Sequence, residues 1–254
     1  MIIIEYRIAV AAVMLLSAAY FDIRSREIDD RLWISFSSVG ALLYFYEFVT
    51  AGVVTDLAST LLVIGGTAGI VLLLYRLGFY AGADALALLS LSVVLPLYAP
   101  PIYALPAMYH DPLYLLFNPV TFVMVLANAT MWVLILPVYF LLRNLLRLLR
   151  GEAIFAGFED ESWWRKVVVV FLGYRMKYAS EGSFYLTLEK KVGSKRKFVF
   201  RMLNEDEEFL QGQDVWGTPG IPFLLFMTLG FFTMLLVGDL VTLLMDSLFS
   251  ALIP

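Results

Sequence analysis

Apolar positions in this chain come in long, nearly charge-free blocks, not at the two-residue alternation of a half-buried strand. The blocks cover about Ile8–Phe21, Leu32–Val49, Leu57–Leu77, Ala85–Leu97, Val120–Leu142 and Pro219 to the C-terminus. A helix needs about 20 apolar residues to cross the hydrocarbon core of a bilayer. The first block reaches that length when counted from Ile2 with Arg7 snorkelling to the interface. The pattern therefore predicts an all-α polytopic membrane protein with six transmembrane helices. In the third block, Gly65-Gly66-Thr67-Ala68-Gly69 is a small-residue run that lets another helix approach closely.

The connections differ sharply from one another. Asp22–Arg31 carries seven charges in ten residues, and Thr50–Asp56 is a short turn. Between the fourth and fifth blocks, Pro96, Pro100, Pro101, Pro106 and Pro112 exclude a regular helix. The interleaved Tyr98, Tyr103, Tyr109 and Tyr114 suit a loop at a membrane interface. From Arg143 to Asp214 the pattern changes. Arg143–Arg150 is a basic amphipathic run fit to lie on a membrane. Val167–Tyr174, Phe184–Val192 and Lys197–Leu203 read as strands, the last two joined by a turn at Gly193-Ser194-Lys195. The expected organisation is a membrane domain over residues 1–142 (spans 1–5), a small β-rich cytosolic insertion over 143–216, and span 6 over 217–254.

Composition agrees. The chain is 61% hydrophobic and 16% charged, with a mean hydropathy of +0.83, far from ordinary globular usage. A net charge of −4 gives no reason to expect a nucleic-acid partner. There is no cysteine and one histidine, His110, which excludes thiol catalysis, disulfides and Cys/His metal centres. Charge placement sets the topology. Seventeen of the eighteen Lys and Arg residues fall in the Asp22 hairpin, the Arg76–Ala83 connection and the Arg143–Asp214 segment, and only Arg7 lies opposite. Basic loops face the cytoplasm, so both termini are expected outside.

That topology puts two aspartates at one membrane level, facing the cytoplasm. Asp22 closes the first block and Asp84 opens the fourth. A carboxylate at such a place must be paired, hydrated or functional. Two carboxylates held close together do not both ionise cheaply, so one keeps a proton. That asymmetry serves amide hydrolysis: one carboxylate takes a proton from water while the other polarises the scissile carbonyl. No Ser/His or Cys/His set offers a rival hydrolytic centre.

Asp22-Ile23-Arg24-Ser25-Arg26-Glu27-Ile28 resembles the first aspartate motif of the type IV prepilin peptidases and their archaeal preflagellin (prearchaellin) peptidase relatives. Ala81-Gly82-Ala83-Asp84 resembles that family's second motif, Gly-x-Gly-Asp, with alanine in both glycine positions. Trp216-Gly217-Thr218-Pro219-Gly220-Ile221-Pro222-Phe223 resembles the archaeal branch, and Asp29-Asp30 stands where the family often has proline and a polar residue. The resemblance spans all six blocks. It implies a membrane aspartic endopeptidase in the cell membrane, with Asp22 and Asp84 catalytic and facing the cytoplasm. The implied substrate is an archaellin or type IV pilin-like preprotein with a short basic leader and an apolar helix that stays in the bilayer. No metal or organic cofactor is implied. The four-cysteine segment of bifunctional prepilin peptidases is absent, which argues against methyltransferase activity. Gly82 leaves room for close substrate approach, and acidic Glu27, Asp29 and Asp30 beside Asp22 would attract the leader; a solvated hairpin is the alternative for these three.

Three rival readings stand beside this one. A transporter or proton-conducting protein would use Asp22, Asp84 and Asp239 as a relay. A presenilin-like intramembrane protease shares the aspartate pair, and Ala104-Leu105-Pro106-Ala107 echoes its Pro-Ala-Leu element, but in an outer loop. A non-enzymatic assembly factor would share only the scaffold.

Overall fold

A computed structural model of the chain describes residues 2–51, 54–98, 120–178, 185–192, 195–200 and 213–252. The proline-rich segment with His110 and the Gly193-Ser194 turn lie outside them. The chain is mostly helical with small sheets and divides into two units, Met1–Trp132 with Pro222–Pro254, and Val133–Ile221.

The first unit contains α1 (Ile2–Arg24), α2 (Asp30–Ala51), α3 (Val54–Arg76), α4 (Gly82–Val94) and α5 (Thr121–Val133), and after the second unit α8 (Phe223–Leu236) and α9 (Leu240–Leu252). Their ends follow local chemistry. Asp29 caps α2, its Oδ1 accepting the Arg31 N–H at 2.9 Å. Gly78, at φ +77°, closes α3: Phe79 N–H bonds Leu74 O and Gly78 N–H bonds Tyr75 O, both at 3.0 Å. This is a Schellman cap, which glycine adopts without strain. Beyond α4, Leu97 bridges Val120 and Thr121 N–H bonds Pro96 O at 3.0 Å, so α5 begins beside the end of α4.

The core of this unit is built around α4, whose Ala87, Leu88, Leu91 and Val94 are fully buried. It packs against α1, α2, α3 and α8. Two glycines permit the close approaches. A Cβ at Gly40 would stand 2.8 Å from Val94 Cα, and one at Gly230 would stand 2.5 Å from Val125 O. The run expected to do this, at Gly65, Gly66 and Gly69, meets nothing within 4 Å. Those glycines face outward because the packing side of α3 is the one carrying buried Thr67 and Val71.

Among the described residues three helical stretches are long and apolar enough to cross a membrane: Ile3–Arg24, Asp30–Thr50 and Thr121–Leu149. Thr60–Arg76, Gly82–Val94 and Phe223–Leu236 are shorter apolar helices. At 1.5 Å per residue α4 spans about 20 Å, less than a hydrocarbon core. Arg7 does not snorkel. It is buried, its Nη2 pairs with Glu47 Oε2 at 2.8 Å, and its guanidinium lies 3.2 Å from the Tyr44 ring centroid. Nor is the last block one helix. Gly238 at φ +92° ends it, and Asp239 caps α9, accepting Val241 N–H at 3.0 Å and the Thr242 hydroxyl at 2.6 Å. Fully buried Asn128 closes this break, donating to Gly238 O at 2.8 Å and accepting Leu240 N–H at 2.9 Å.

The second unit holds α6 (Ile135–Leu149), α7 (Trp163–Leu172) and five strands: β1 (Tyr174–Tyr178), β2 (Tyr185–Thr187), β3 (Glu189–Val192), β4 (Lys195–Phe198) and β5 (Gln213–Pro219). Pro137 has no N–H to return to Val133, which accounts for the interruption at Leu134 between α5 and α6. β5 lies between β1 and β2, antiparallel to both, and β3 pairs antiparallel with β4 from Val192↔Lys195 outward. Trp216, fully buried, stacks on Phe155 and meets Phe198 edge-on. The expected strand at Val167–Tyr174 is instead α7 followed by the start of β1. Buried Asn144 on α6 donates to Val170 O at 3.0 Å and Gly173 O at 2.7 Å. Those bonds satisfy carbonyls that a helix C-terminus leaves without partners, so a β-branched run is held helical.

Candidate active site

Asp22 sits in the last turn of α1, and its residue is 9% exposed. The chain turns away just after it. Ser25 N–H and Arg26 N–H both bond Phe21 O, at 2.9 and 3.2 Å, and Arg26 takes φ +60°. A left-handed conformation at a non-glycine residue costs about 1 kcal/mol or more. The turn brings the Arg26 guanidinium back along the helix, with Nη1 3.4 Å from Asp22 Oδ1. The backbone of Leu224, in the first turn of α8, also approaches the Asp22 carboxylate. A helix N-terminus there favours a negative charge, opposing the unfavourable C-terminal end of α1. Asp22 Oδ2 is buried without a hydrogen bond among the described residues.

Asp84 sits in the first turn of α4 and is half-buried. Its Oδ2 accepts Ala81 N–H at 3.3 Å. This is only the return arm of a capping box, since Ala81 has no side-chain oxygen to complete it. The Asp22 carboxylate and the Arg26 guanidinium both act electrostatically on Asp84. The structure thus places the C-terminal end of α1 and the N-terminal end of α4, which carry the two aspartates, within electrostatic range of each other. Tyr80 closes one side. Its ring stacks on Phe223 at 5.7 Å, and burial first, then the Asp84 carboxylate, push its phenol above the usual range.

Ala81 and Ala83 fit without strain. Ala81 has an extended backbone at φ −73°, and neither alanine is among the positive-φ residues of the described chain. Glycine's access to left-handed space is not used in this turn. Gly82 is exposed, and a Cβ there would meet nothing within 4 Å. Glu27, Asp29 and Asp30 are exposed on the loop that follows Asp22 and at the start of α2, with Asp29 also serving as the α2 cap. Asp239 is engaged as the α9 cap. Among the described residues no three His, Cys, Asp or Glu side chains are grouped to hold a metal ion.

Two participants carried no assigned role in the sequence reading. Arg26 stands four residues after Asp22, a spacing that signals a helical ion pair, but its approach depends on the left-handed turn. Leu224 has no local signal at all, because its contribution is a main-chain position set by the packing of α8 on α1.

No family model matches the chain. It is similar over nearly its whole length to preflagellin peptidases. That of Methanococcus maripaludis is 28% identical over 244 residues, covering 93% of this chain and 96% of the relative. That of Methanocaldococcus jannaschii is 25% identical over 242 residues, covering 91% and 93%. The Methanococcus voltae protein is 26% identical over 243 residues, covering 91% and 94%. Three similarities of 25–28% identity over more than nine-tenths of the chain support assigning it to the preflagellin peptidase family.

Proposed function

We propose that this chain is a membrane aspartic endopeptidase that removes the short basic leader from archaellin or type IV pilin-like preproteins at the cytoplasmic face of the cell membrane. The observation that supports the reading is that Asp22, at the end of α1, and Asp84, at the start of α4, lie within electrostatic range of each other. The relatives' names supply the reaction class: each is a preflagellin peptidase. The cytoplasmic placement rests on the distribution of Lys and Arg. In this reading the three long and three shorter apolar helices supply six spans, and residues 143–216 face the cytoplasm.

One carboxylate accepts a proton from a water as its oxygen adds to the scissile carbonyl carbon, and the other, protonated, donates a hydrogen bond to the carbonyl oxygen. Collapse of the tetrahedral species breaks the C–N bond, with a proton returned to the leaving amine. Asp22 Oδ2, buried and with no hydrogen bond among the described residues, has lone pairs available to take that proton. The exposed carboxylates of Glu27, Asp29 and Asp30 follow Asp22 in the connection from α1 to the start of α2 and favour a Lys/Arg leader. Gly82, with no neighbour where a side chain would stand, leaves the approach to Asp84 open.

A relay through Asp22, Asp84 and Asp239 is less well supported, because the Asp239 carboxylate is engaged at the start of α9. The two readings separate in one pair of assays. Membranes containing the wild-type chain are expected to cleave a leader-bearing preprotein, and D22N and D84N membranes are not. Proteoliposomes that conduct ions without any proteolysis would reverse the assignment.

A further inference from the structure

The second unit contains a cavity of about 760 Å³ between α6 and β1, at some distance in sequence from either aspartate motif. Four guanidiniums line it, from Arg143, Arg147, Arg150 and Arg175, against one carboxylate, Glu152. Two of the four are committed to the fold. Arg147 pairs with Glu152 at 2.7 Å and donates to Arg175 O, and Arg175 pairs with Asp214 at 2.5 Å while donating to Ala153 O and Ile154 O. Among the described residues the other two have no carboxylate partner. Arg143 donates to the Tyr139 hydroxyl and lies 3.7 Å over the Tyr174 ring. Arg150 is exposed and has no ion pair among the described residues. Built-in positive charge with tyrosine hydroxyls around it is a site for an anion, and planar guanidiniums match phosphate oxygens.

The surroundings say what bears that phosphate. Leu142, Leu145, Leu146 and Leu149 leave an exposed apolar row on α6, and Trp163, Trp164, Val167 and Phe171 leave another on α7, which packs against α6. A soluble anion gives such rows no cover; an acyl chain does. The helical stretch Thr121–Leu149 has 29 residues, roughly nine more than the 20 or so that cross the hydrocarbon. Arg143 and Arg147 lie in the last two turns of that stretch, where a span of this length would emerge among the headgroups. Tyrosine and tryptophan are the aromatic residues favoured there.

We propose that this cavity binds the phosphate headgroup of an anionic phospholipid, with Arg143 and Arg150 on the phosphate and the leucine row of α6 against the acyl chains. The site is independent of the aspartate chemistry, and its test needs no substrate.

The full-length chain, purified in a neutral detergent, is titrated with phosphatidylglycerol and separately with phosphatidylcholine, and bound lipid is counted by native mass spectrometry. Saturable binding of one phosphatidylglycerol, at least about tenfold tighter than phosphatidylcholine, is expected. At roughly a fivefold step per arginine, R143Q/R150Q weakens it about thirtyfold. R150Q alone, whose side chain supports nothing else among the described residues, weakens it about fivefold. K190Q/K197Q removes the same charge from the β3–β4 hairpin and leaves affinity within about twofold, since screening makes distant charges ineffective. Equal affinity for the two lipids, a phosphatidylglycerol affinity indifferent to R150Q and R143Q/R150Q, or an equal loss in K190Q/K197Q would each overturn the site. Displacement of the lipid by millimolar glycerol phosphate would overturn the lipid assignment in favour of a soluble phosphate.

Discussion

Asn128 offers a quantitative test of how the helices behind the aspartates are held. It is fully buried, and its amide serves the break between α8 and α9: Nδ2 donates to Gly238 O at 2.8 Å, and Oδ1 accepts Leu240 N–H at 2.9 Å. A weaker contact reaches Gly230 O at 3.4 Å. Leucine at this position keeps the branching and heavy-atom count of the side chain, so N128L acts chiefly by removing the hydrogen bonds. It leaves the Gly238 carbonyl and the Leu240 N–H without their side-chain partner. A buried polar group stripped of its partner costs about 1–3 kcal/mol, so two cost about 2–6 kcal/mol. A net stability of about 5–15 kcal/mol makes that a large fraction. The comparison is W132F, which removes the single 2.9 Å bond from Trp132 Nε1 to the Thr233 hydroxyl. That hydroxyl still donates to Leu229 O, so W132F forfeits only about 0.5–1.5 kcal/mol from the bond itself. Melting of both variants in detergent, followed by helical circular dichroism, is expected to place N128L about 10 °C below wild type and W132F only a few degrees below. An N128L midpoint equal to wild type would show that the amide does not hold the break.

Other outcomes follow from the same geometry. D84N keeps an acceptor for the Ala81 N–H and D84A does not, yet both are expected to lose cleavage by about 10²–10⁴. The lost cap costs about 1 kcal/mol, opposed by relief of a half-buried carboxylate, so neither variant should melt far from wild type. Activity surviving in either would remove Asp84 from the chemistry. G40A is expected to destabilise by about 1–3 kcal/mol, because the obstacle is Val94 backbone and not a movable side chain. G66A, facing open space, should be neutral or stabilising by about 0.5–1 kcal/mol in the same melting assay.

Much of the helical plan was legible because desolvation leaves few choices for a long apolar run. The block at Leu32–Val49 falls inside α2, and that at Leu57–Leu77 follows α3 to its end and runs one residue past it. Hydropathy does not register where a helix breaks inside such a run. Gly238-Asp239 split the last block, and the cause is a cap and a buried asparagine on another helix, neither of which changes mean hydropathy. Hydropathy also hides orientation: Gly65-Gly66-Thr67-Ala68-Gly69 has the composition of a packing face but turns its glycines outward, whereas the isolated Gly40 and Gly230 do the packing. In the second unit β-propensity pointed to a strand at Val167–Tyr174, and tertiary capping by Asn144 overrode it. β5 was missed because Gly217 and Pro219 read as a helix entry, when they end an antiparallel strand.

The aspartates stood out singly, as charges that open or close apolar helices. Topology set them at one membrane level without saying whether they come within reach of each other; in the structure Asp22 and Arg26 both act electrostatically on Asp84. The two alanines of the second motif were an open question on sequence grounds. An extended Ala81 answers it physically, since the turn needs no residue with φ > 0. The contribution of α8 was out of reach, because it depends on main chain brought next to Asp22 from the far end of the sequence.

The central claim is tested most directly by incubating the purified full-length chain with a leader-bearing preflagellin in lipid and sequencing the new N-terminus, beside D22N and D84N. The account predicts one cut between the basic leader and the apolar helix with the wild-type chain, and none with either variant. The same cut at wild-type rate from either variant would contradict it.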